Sequence, residues 1–300
     1  MRLVYWTRVY PEPQTHAILG AGGVGGFVGA MLARAGARVV VLARSEHPDT
    51  LTLESGFGNL AVPVIPARSL AAPVEVLWVT TKATQLGAAL EAVPDPALAG
   101  MVVPLLNGVD HVALLRTRFA PERVVPGTIA CEVERAAPGR IVHRSPFARF
   151  GFAEAGQAGL AGAAGAFTAF GCGVAFVADE RTLLWKKLVM LAPMALNTTA
   201  AGVTAGELWA SPAWAARFEA AAREACAVAR AEGAVVDAEE TLGLLRGMPA
   251  GLRSSMQKDV AAGRAPELDA IAGPILRGGR RHGIAVPVTE ELAGMIPARC

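Results

Sequence analysis

The sequence predicts an α/β protein in which an N-terminal doubly wound parallel sheet is followed by an all-helical C-terminal domain. Three observations predict it. Between Thr15 and Ala43 a strand, a glycine-rich turn, a helix and a second strand follow one another, in about the 30 residues that one βαβ unit takes. Strand patterns then go on alternating with helical ones, as parallel strands joined by crossovers require. After about Asp179 the strands stop and helical periodicity alone remains. With 300 residues, 53% of them hydrophobic and 18% charged, the chain is too long for one small module and too apolar for disorder. Two globular domains are expected, 15–179 and 180–300, behind an extension of residues 1–14.

The extension, MRLVYWTRVYPEPQ, carries Arg2 and Arg8 but no apolar core of signal-peptide length and no small-residue cleavage site. Beyond it, HAIL is a short apolar strand, GAGGVG a turn, FVGAMLARAG a helix closed by Gly36, and ARVVVLA a β-branched strand. VEVLWVTT (74–81) reads as a buried strand, Gln85 to Ala92 as a helix, and MVVPLL (101–106) as a strand ending at Asn107-Gly108. Ala155 to Ala178 is uncharged, but it is dominated by Ala and Gly and interrupted by Gln157 and Thr168. It is therefore read as a small-residue helix followed by a strand at 174–177, not as a membrane span. The helical domain is expected to contain Thr182–Met194, Ala213–Glu232, Ala238–Leu245, Ser254–Ala262 and Pro266–His282.

Twenty-eight basic against 26 acidic residues leave a net charge of +2, so no field of one sign draws the chain to nucleic acid or an anionic membrane. A small-molecule partner is favoured. Cys131, Cys172, Cys226 and Cys300 form no CxxC pair and no histidine stands at metal-ligand spacing, which signals neither a disulfide framework nor a metal site. A reducing, cytoplasmic setting is expected, with Cys300 incidental.

Gly20-Ala21-Gly22-Gly23-Val24-Gly25 fits G-x-G-x-x-G, a weak match by itself in a chain with 33 glycines. Its setting between a strand and a helix gives it force. The first glycine allows the tight turn, the second lets the backbone approach a pyrophosphate, the third lets helix and strand pack closely, and the helix N-terminus offers N–H groups to the phosphates. The second strand then ends in Arg44-Ser45, where a site for NAD usually has an acidic residue. A guanidinium beside a hydroxyl suits the additional 2′-phosphate of NADP, although Glu46 follows and Arg44 also reads as a solvated loop arginine.

Lys82 and Asn107 follow two buried strands and so lie on the carboxyl rim, where ligands bind an open α/β sheet. Read singly, the one is a loop lysine and the other the left-handed residue of an Asn-Gly turn. In LLWKKLVML, Lys186 and Lys187 point about 100° apart, so either one faces solvent while the other faces the cleft beside an apolar wall that favours proton transfer, or both snorkel to water. Pro266 fits a first helical turn, and Glu267 behind it serves either the helix dipole or a site.

Taken together, GAGGVG with Arg44, TKATQ at Lys82, LLNGV at Asn107, and LLWKKL followed by SSMQKD and APELD resemble the ketopantoate reductase family from Thr15 to about Leu292. The resemblance implies a Rossmann-type N-terminal domain, NADPH as hydride donor, and reduction of 2-dehydropantoate to pantoate in pantothenate biosynthesis by a monomer or homodimer. By motif position it makes Lys187 the general acid and Glu267 the acid that holds it. Ser255 becomes the serine that binds the substrate carboxylate, with Lys82 and Asn107 near nicotinamide and substrate. Gly20, Gly22, Gly23, Val24, Gly25, Arg44, Lys82, Asn107 and Glu267 become the cofactor contacts. The chain departs from the family at Leu191 and Ala195, four and eight residues after the lysine, and at Ala272, all three in place of asparagine. Asn197 takes over one of these roles if Pro193 shifts the helix register. The departures raise a second reading, reduction of a less polar 2-keto acid or other carbonyl compound. A third, an NADPH sensor without catalysis, is opposed by retention of Lys187, Ser255 and Glu267.

Overall fold

A computed structural model describes residues 13–297; the first 12 residues of the expected extension and Cys300 lie outside them. The chain forms two compact units. The first comprises the chain up to Leu106 together with His111–Glu180, and the second comprises Asn107–Asp110 together with the chain from Arg181.

In chain order the first unit contains β1 (Thr15–Leu19), α1 (Gly23–Arg34), β2 (Arg38–Leu42), β3 (Thr50–Ser55), β4 (Leu60–Pro63), β5 (Ile65–Ala67), β6 (Val74–Val79), α2 (Leu86–Ala89) and β7 (Ala99–Pro104). It continues with α3 (His111–Arg118), β8 (Gly127–Ala130), β9 (Val133–Ala137), β10 (Arg140–His143), β11 (Arg149–Ala153), α4 (Gln157–Phe170) and β12 (Gly173–Val177). The expected parallel sheet is present with strand order β5-β2-β1-β6-β7, every pairing parallel. Two further sheets, β4-β3-β10-β9 and β12-β11-β8, lie beyond what the sequence pattern announced. Their strands are hard to read locally: four of the five residues of β9 are exposed, so its ladder with β10 holds it in place and no apolar alternation marks it.

The expected helix Gln85–Ala92 is broken into two 3₁₀ turns flanking a four-residue α2, because Gly87 weakens it and its apolar positions bury only Leu86, Ala89 and Leu90. The core of the unit centres on Trp78 of β6, whose ring meets Phe152 and Phe167 edge-on, while Phe150 stacks on Phe167 at 4.4 Å.

Among the described residues the second unit is helical throughout: α5 (Glu180–Ala201), α6 (Ala205–Ala210), α7 (Pro212–Ala231), α8 (Ala238–Arg246), α9 (Ser255–Ala261), α10 (Leu268–His282) and α11 (Pro287–Met295). Helix α5 starts at the unit boundary and runs seven residues past the expected end at Met194. Pro193 removes one backbone donor, but residues 192–198 are all buried and packing carries the helix through. Pro266 and Glu267 precede α10 instead of opening it, with Glu267 at the N-cap. The small residues Ala221, Ala222, Ala225 and Ala229 let α7 run buried, and its Glu224 accepts from the N–H groups of Val288 and Thr289, capping α11 from outside.

His16 of β1 is fully buried, and Trp78 Nε1 donates to its Nδ1 at 3.2 Å, which requires that nitrogen to be unprotonated. Burial lowers its pKa from 6.5 to about 4. Below pH 6.5 the unfolded chain therefore binds a proton that the folded chain refuses until about pH 4, and stability falls as pH falls through that window, by about 3 kcal/mol. Urea denaturation between pH 7 and pH 4 is expected to show this loss, and His16→Gln to flatten it; an unchanged pH slope in the variant refutes the assignment.

Candidate functional site

The glycine turn is built by three different constraints. Gly20 has φ +110°, and a Cβ there would lie 2.8 Å from the backbone nitrogen of Thr81, so the end of β6 presses directly on the turn. A Cβ on Gly25 would meet the Gly20 carbonyl at 2.1 Å and Thr80 Oγ1 at 2.5 Å. Thr80 Oγ1 lies 2.9 Å from the Gly20 carbonyl and 3.2 Å from that of Leu19, and its single proton is shared between them. Gly22 is different: it has φ −88°, and nothing among the described residues lies within 4 Å of where its Cβ would be. No contact among the described residues demands glycine there, and the space beside it is open. Gly22 is also the N-cap of α1, and no side chain among the described residues caps the first N–H groups of that helix.

Strand register sets the rest of the rim. Leu19 of β1 pairs with Leu42 of β2 and Val79 of β6, so the turn, exposed Arg44 and half-buried Lys82 follow the carboxyl ends of three adjacent strands. The residues present fit a dinucleotide: an open glycine, free helix donors and an arginine at the end of β2.

In the second unit, Lys186 is exposed and Lys187 half-buried, flanked by buried Trp185 and Leu188, so the two lysines divide as their 100° offset requires. The segment Asn107–Asp110 is bound to α10 at three points. Asn107 Nδ2 donates to Glu267 Oε2 at 3.2 Å. Gly108 has φ +83°, and a Cβ there would lie 2.4 Å from the Ala270 carbonyl. Arg277 bridges Asp110 and Asp269. The left-handed residue of the turn is Gly108; Asn107 has no positive φ and its amide is committed to Glu267. Glu267 is only 9% exposed, so the carboxylate is held away from bulk water in a polar contact.

Ser255 is exposed at the start of α9, while its neighbour Ser254 is the structural cap, accepting from the backbone of Gln257 and from Thr198 Oγ1 at 2.9 Å. Asn197 is fully buried, its Nδ2 donates to the Pro193 carbonyl one turn back, and its Oδ1 has no partner among the described residues. The sequence reading missed Thr80, Thr198 and Arg135, whose Nη1 donates to the Ala21 carbonyl at 3.2 Å. Only the partners, far away in sequence, give these residues meaning.

A glycine turn feeding an uncapped helix at the rim of a parallel sheet, joined to a helical unit with a half-buried lysine and a hydrogen-bonded carboxylate, defines an oxidoreductase of the dinucleotide-fold class. Residues 16–156 match the family model described as Ketopantoate reductase PanE/ApbA, and residues 179–299 match that described as Ketopantoate reductase PanE/ApbA C terminal. The chain belongs to the ketopantoate reductase family. It is 35% identical over 294 residues to a 2-dehydropantoate 2-reductase of Caulobacter vibrioides, covering 94% of this chain and 98% of that protein. It is 31% identical over 293 residues to one of Mycobacterium tuberculosis, with 94% and 96% covered. A crystal structure of a PanE/ApbA family ketopantoate reductase from Ralstonia eutropha JMP134 superposes with a TM-score of 0.83 at 29% identity, covering 94% of this chain and 96% of that one.

The glycines separate structure from binding. Gly25→Ala is expected to destabilise the protein by about 3 kcal/mol in thermal or urea unfolding, because the clash is with backbone. Gly22→Ala is expected to cost less than about 1 kcal/mol while weakening dinucleotide binding measured by calorimetry. Equal stability losses refute the distinction.

Proposed function

We propose that this chain reduces 2-dehydropantoate to pantoate with NADPH, in the cytoplasm, as a step of pantothenate biosynthesis. The observation that carries the proposal is the Asn107–Glu267 hydrogen bond, which joins two residues 160 positions apart that the family resemblance assigns to the site. Relatives carrying the 2-dehydropantoate 2-reductase name at 31% and 35% identity support it.

When bound, the reduced nicotinamide supplies a hydride to the keto carbon. Gly23, Val24 and Gly25 hold the phosphates through backbone N–H groups, while Gly22, whose own N–H donates to the Gly20 carbonyl at 2.8 Å, lets the phosphates come close; Gly20 sets the turn, and Arg44 with Ser45 selects the 2′-phosphate. Lys82 and Asn107 orient the nicotinamide and the keto acid, and Ser255 donates to the substrate carboxylate. The Lys187 ammonium stabilises negative charge as it develops on the keto oxygen and donates the proton that makes the hydroxyl. Glu267 keeps that lysine charged and oriented, and Asn107 fixes Glu267.

A second reading, a less polar 2-keto acid, is favoured by one observation. Ala195 and Ala272, 0% and 1% exposed, belong with half-buried Leu191 to one apolar cluster, so no amide stands at these positions to read a substrate hydroxyl.

Lys187→Ala is expected to lower turnover by roughly 10²-fold or more with NADPH affinity unchanged, and near wild-type turnover refutes its role. NADPH oxidation with 2-dehydropantoate, and with its analogue bearing hydrogen in place of the terminal hydroxyl, separates the readings. Preference for the hydroxylated acid supports the first, and equal or better use of the analogue supports the second. NADPH binding without turnover of any keto acid overturns both. Arg44→Ala is expected to weaken NADPH roughly tenfold and leave NADH unchanged; equal effects on the two remove Arg44 from cofactor selection.

A further inference from the structure

We propose that Arg135 is a positioning residue that clamps the dinucleotide pyrophosphate onto the glycine turn; this rests on the reading that the turn binds a nicotinamide dinucleotide. Arg135 lies on β9, an edge strand of the sheet β4-β3-β10-β9, and its Nη1 donates to the carbonyl of Ala21, between the first two glycines. Backbone packing puts it there. A Cβ on Gly23 would lie 2.7 Å from the Val133 carbonyl and 3.0 Å from Glu134 Cα, so β9 passes directly across the start of α1. Gly23 is therefore required by the strand, and the strand carries the arginine to the turn.

The charge of Arg135 is uncompensated in a region where its neighbours are neutralised. Arg140 is paired with Glu54, and Arg144 with Glu134, the residue beside Arg135, while Arg135 itself is in no ion pair among the described residues. A guanidinium has five N–H donors in a planar fork, and Ala21 takes one. The remaining donors match phosphate oxygens in pairs. The residue after Ala21 is Gly22, whose Cβ side is open among the described residues and which is the N-cap of α1. A pyrophosphate on those donors lies one residue from the carbonyl that anchors Arg135. The helix N-terminus and the guanidinium then close on the phosphates from two elements, α1 and β9, and the anchor holds the arginine in place before binding.

Calorimetric titration of NADPH, NADH and adenosine 2′-monophosphate into the wild-type chain and Arg135→Ala, Arg135→Gln and Arg135→Lys tests the clamp. Gln retains a donor for the Ala21 carbonyl without the charge, and thermal unfolding verifies that each variant is folded. The expected result is a loss of roughly 10- to 100-fold for both dinucleotides alike in the Ala and Gln variants and a smaller loss in Lys, with adenosine 2′-monophosphate, which has no pyrophosphate, unaffected. Unchanged dinucleotide affinities overturn the clamp. So does a loss confined to NADPH or an equal loss for adenosine 2′-monophosphate, since either places Arg135 at the 2′-phosphate. A wild-type chain that binds neither dinucleotide overturns the nucleotide reading and the clamp with it, a result distinguishable from failure of the clamp alone.

Discussion

The absence of a side chain at Gly25 is the constraint from which the first unit is built. With the Gly20 carbonyl 2.1 Å and Ile18 Cγ2 2.8 Å from the missing Cβ, α1 lies against the end of β1 with nothing between them. Further along the same helix, Gly26 has Ile141 Cδ1 at 2.3 Å and Gly29 has Leu51 Cδ1 at 3.2 Å, so α1 is pressed on the parallel sheet on one side and on the second sheet on the other. This close packing fixes where the helix begins. The beginning of the helix in turn fixes where its unbonded N–H groups emerge, and the site is a consequence of the packing. Thr80 completes the arrangement by tying the Leu19 and Gly20 carbonyls to the end of β6.

In the second unit the corresponding constraint is the attachment of Asn107–Asp110 to α10. That segment directly follows β7, yet its contacts belong to the helical unit, through Asn107 with Glu267, Gly108 with Ala270 and Asp110 with Arg277. A buried carboxylate is costly without donors, and Asn107 provides one to Glu267. Asn107 thus reaches the acid that the proposed mechanism places behind Lys187. The Asn-Gly pair is needed for two reasons, since the amide reaches the carboxylate and the glycine alone tolerates both its positive φ and the nearby carbonyl.

What could be read from the sequence was what is local. GAGGVG between a strand and a helix, Arg44 at the end of β2, and the Lys186–Lys187 pair on an apolar helix each carry their meaning within a few residues, and the parallel sheet followed by helices was legible for the same reason. Strands β3, β4 and β8–β11 were not, because their residues are exposed or mixed and are held by ladders to distant partners. The last turns of α5, beyond Met194, were not legible either, because burial on both sides of Pro193 carries the helix on despite one missing hydrogen bond. Asn197 looked like a substitute amide on spacing, whereas its neighbours show a side chain bonded within its own helix. Arg135 and Ala21 are separated by 114 positions, and nothing near either residue in sequence indicates the other.

The small net charge of +2 excludes long-range steering but says nothing about local recognition, and the distribution of ion pairs shows how the two coexist. Arg140, Arg144, Arg217, Arg223 and Arg246 are each matched by a glutamate on the surface, pairs that contribute little to stability because water screens them. Their effect is to cancel charge. Arg44 and Arg135 are in no such pair among the described residues, and both lie beside the glycine turn, one beyond β2 and the other on β9. Screening confines their influence to about 8–10 Å at ordinary ionic strength. Within that range a phosphate laid on the turn, as proposed above, would meet charge that no glutamate cancels, in a chain that is almost neutral overall.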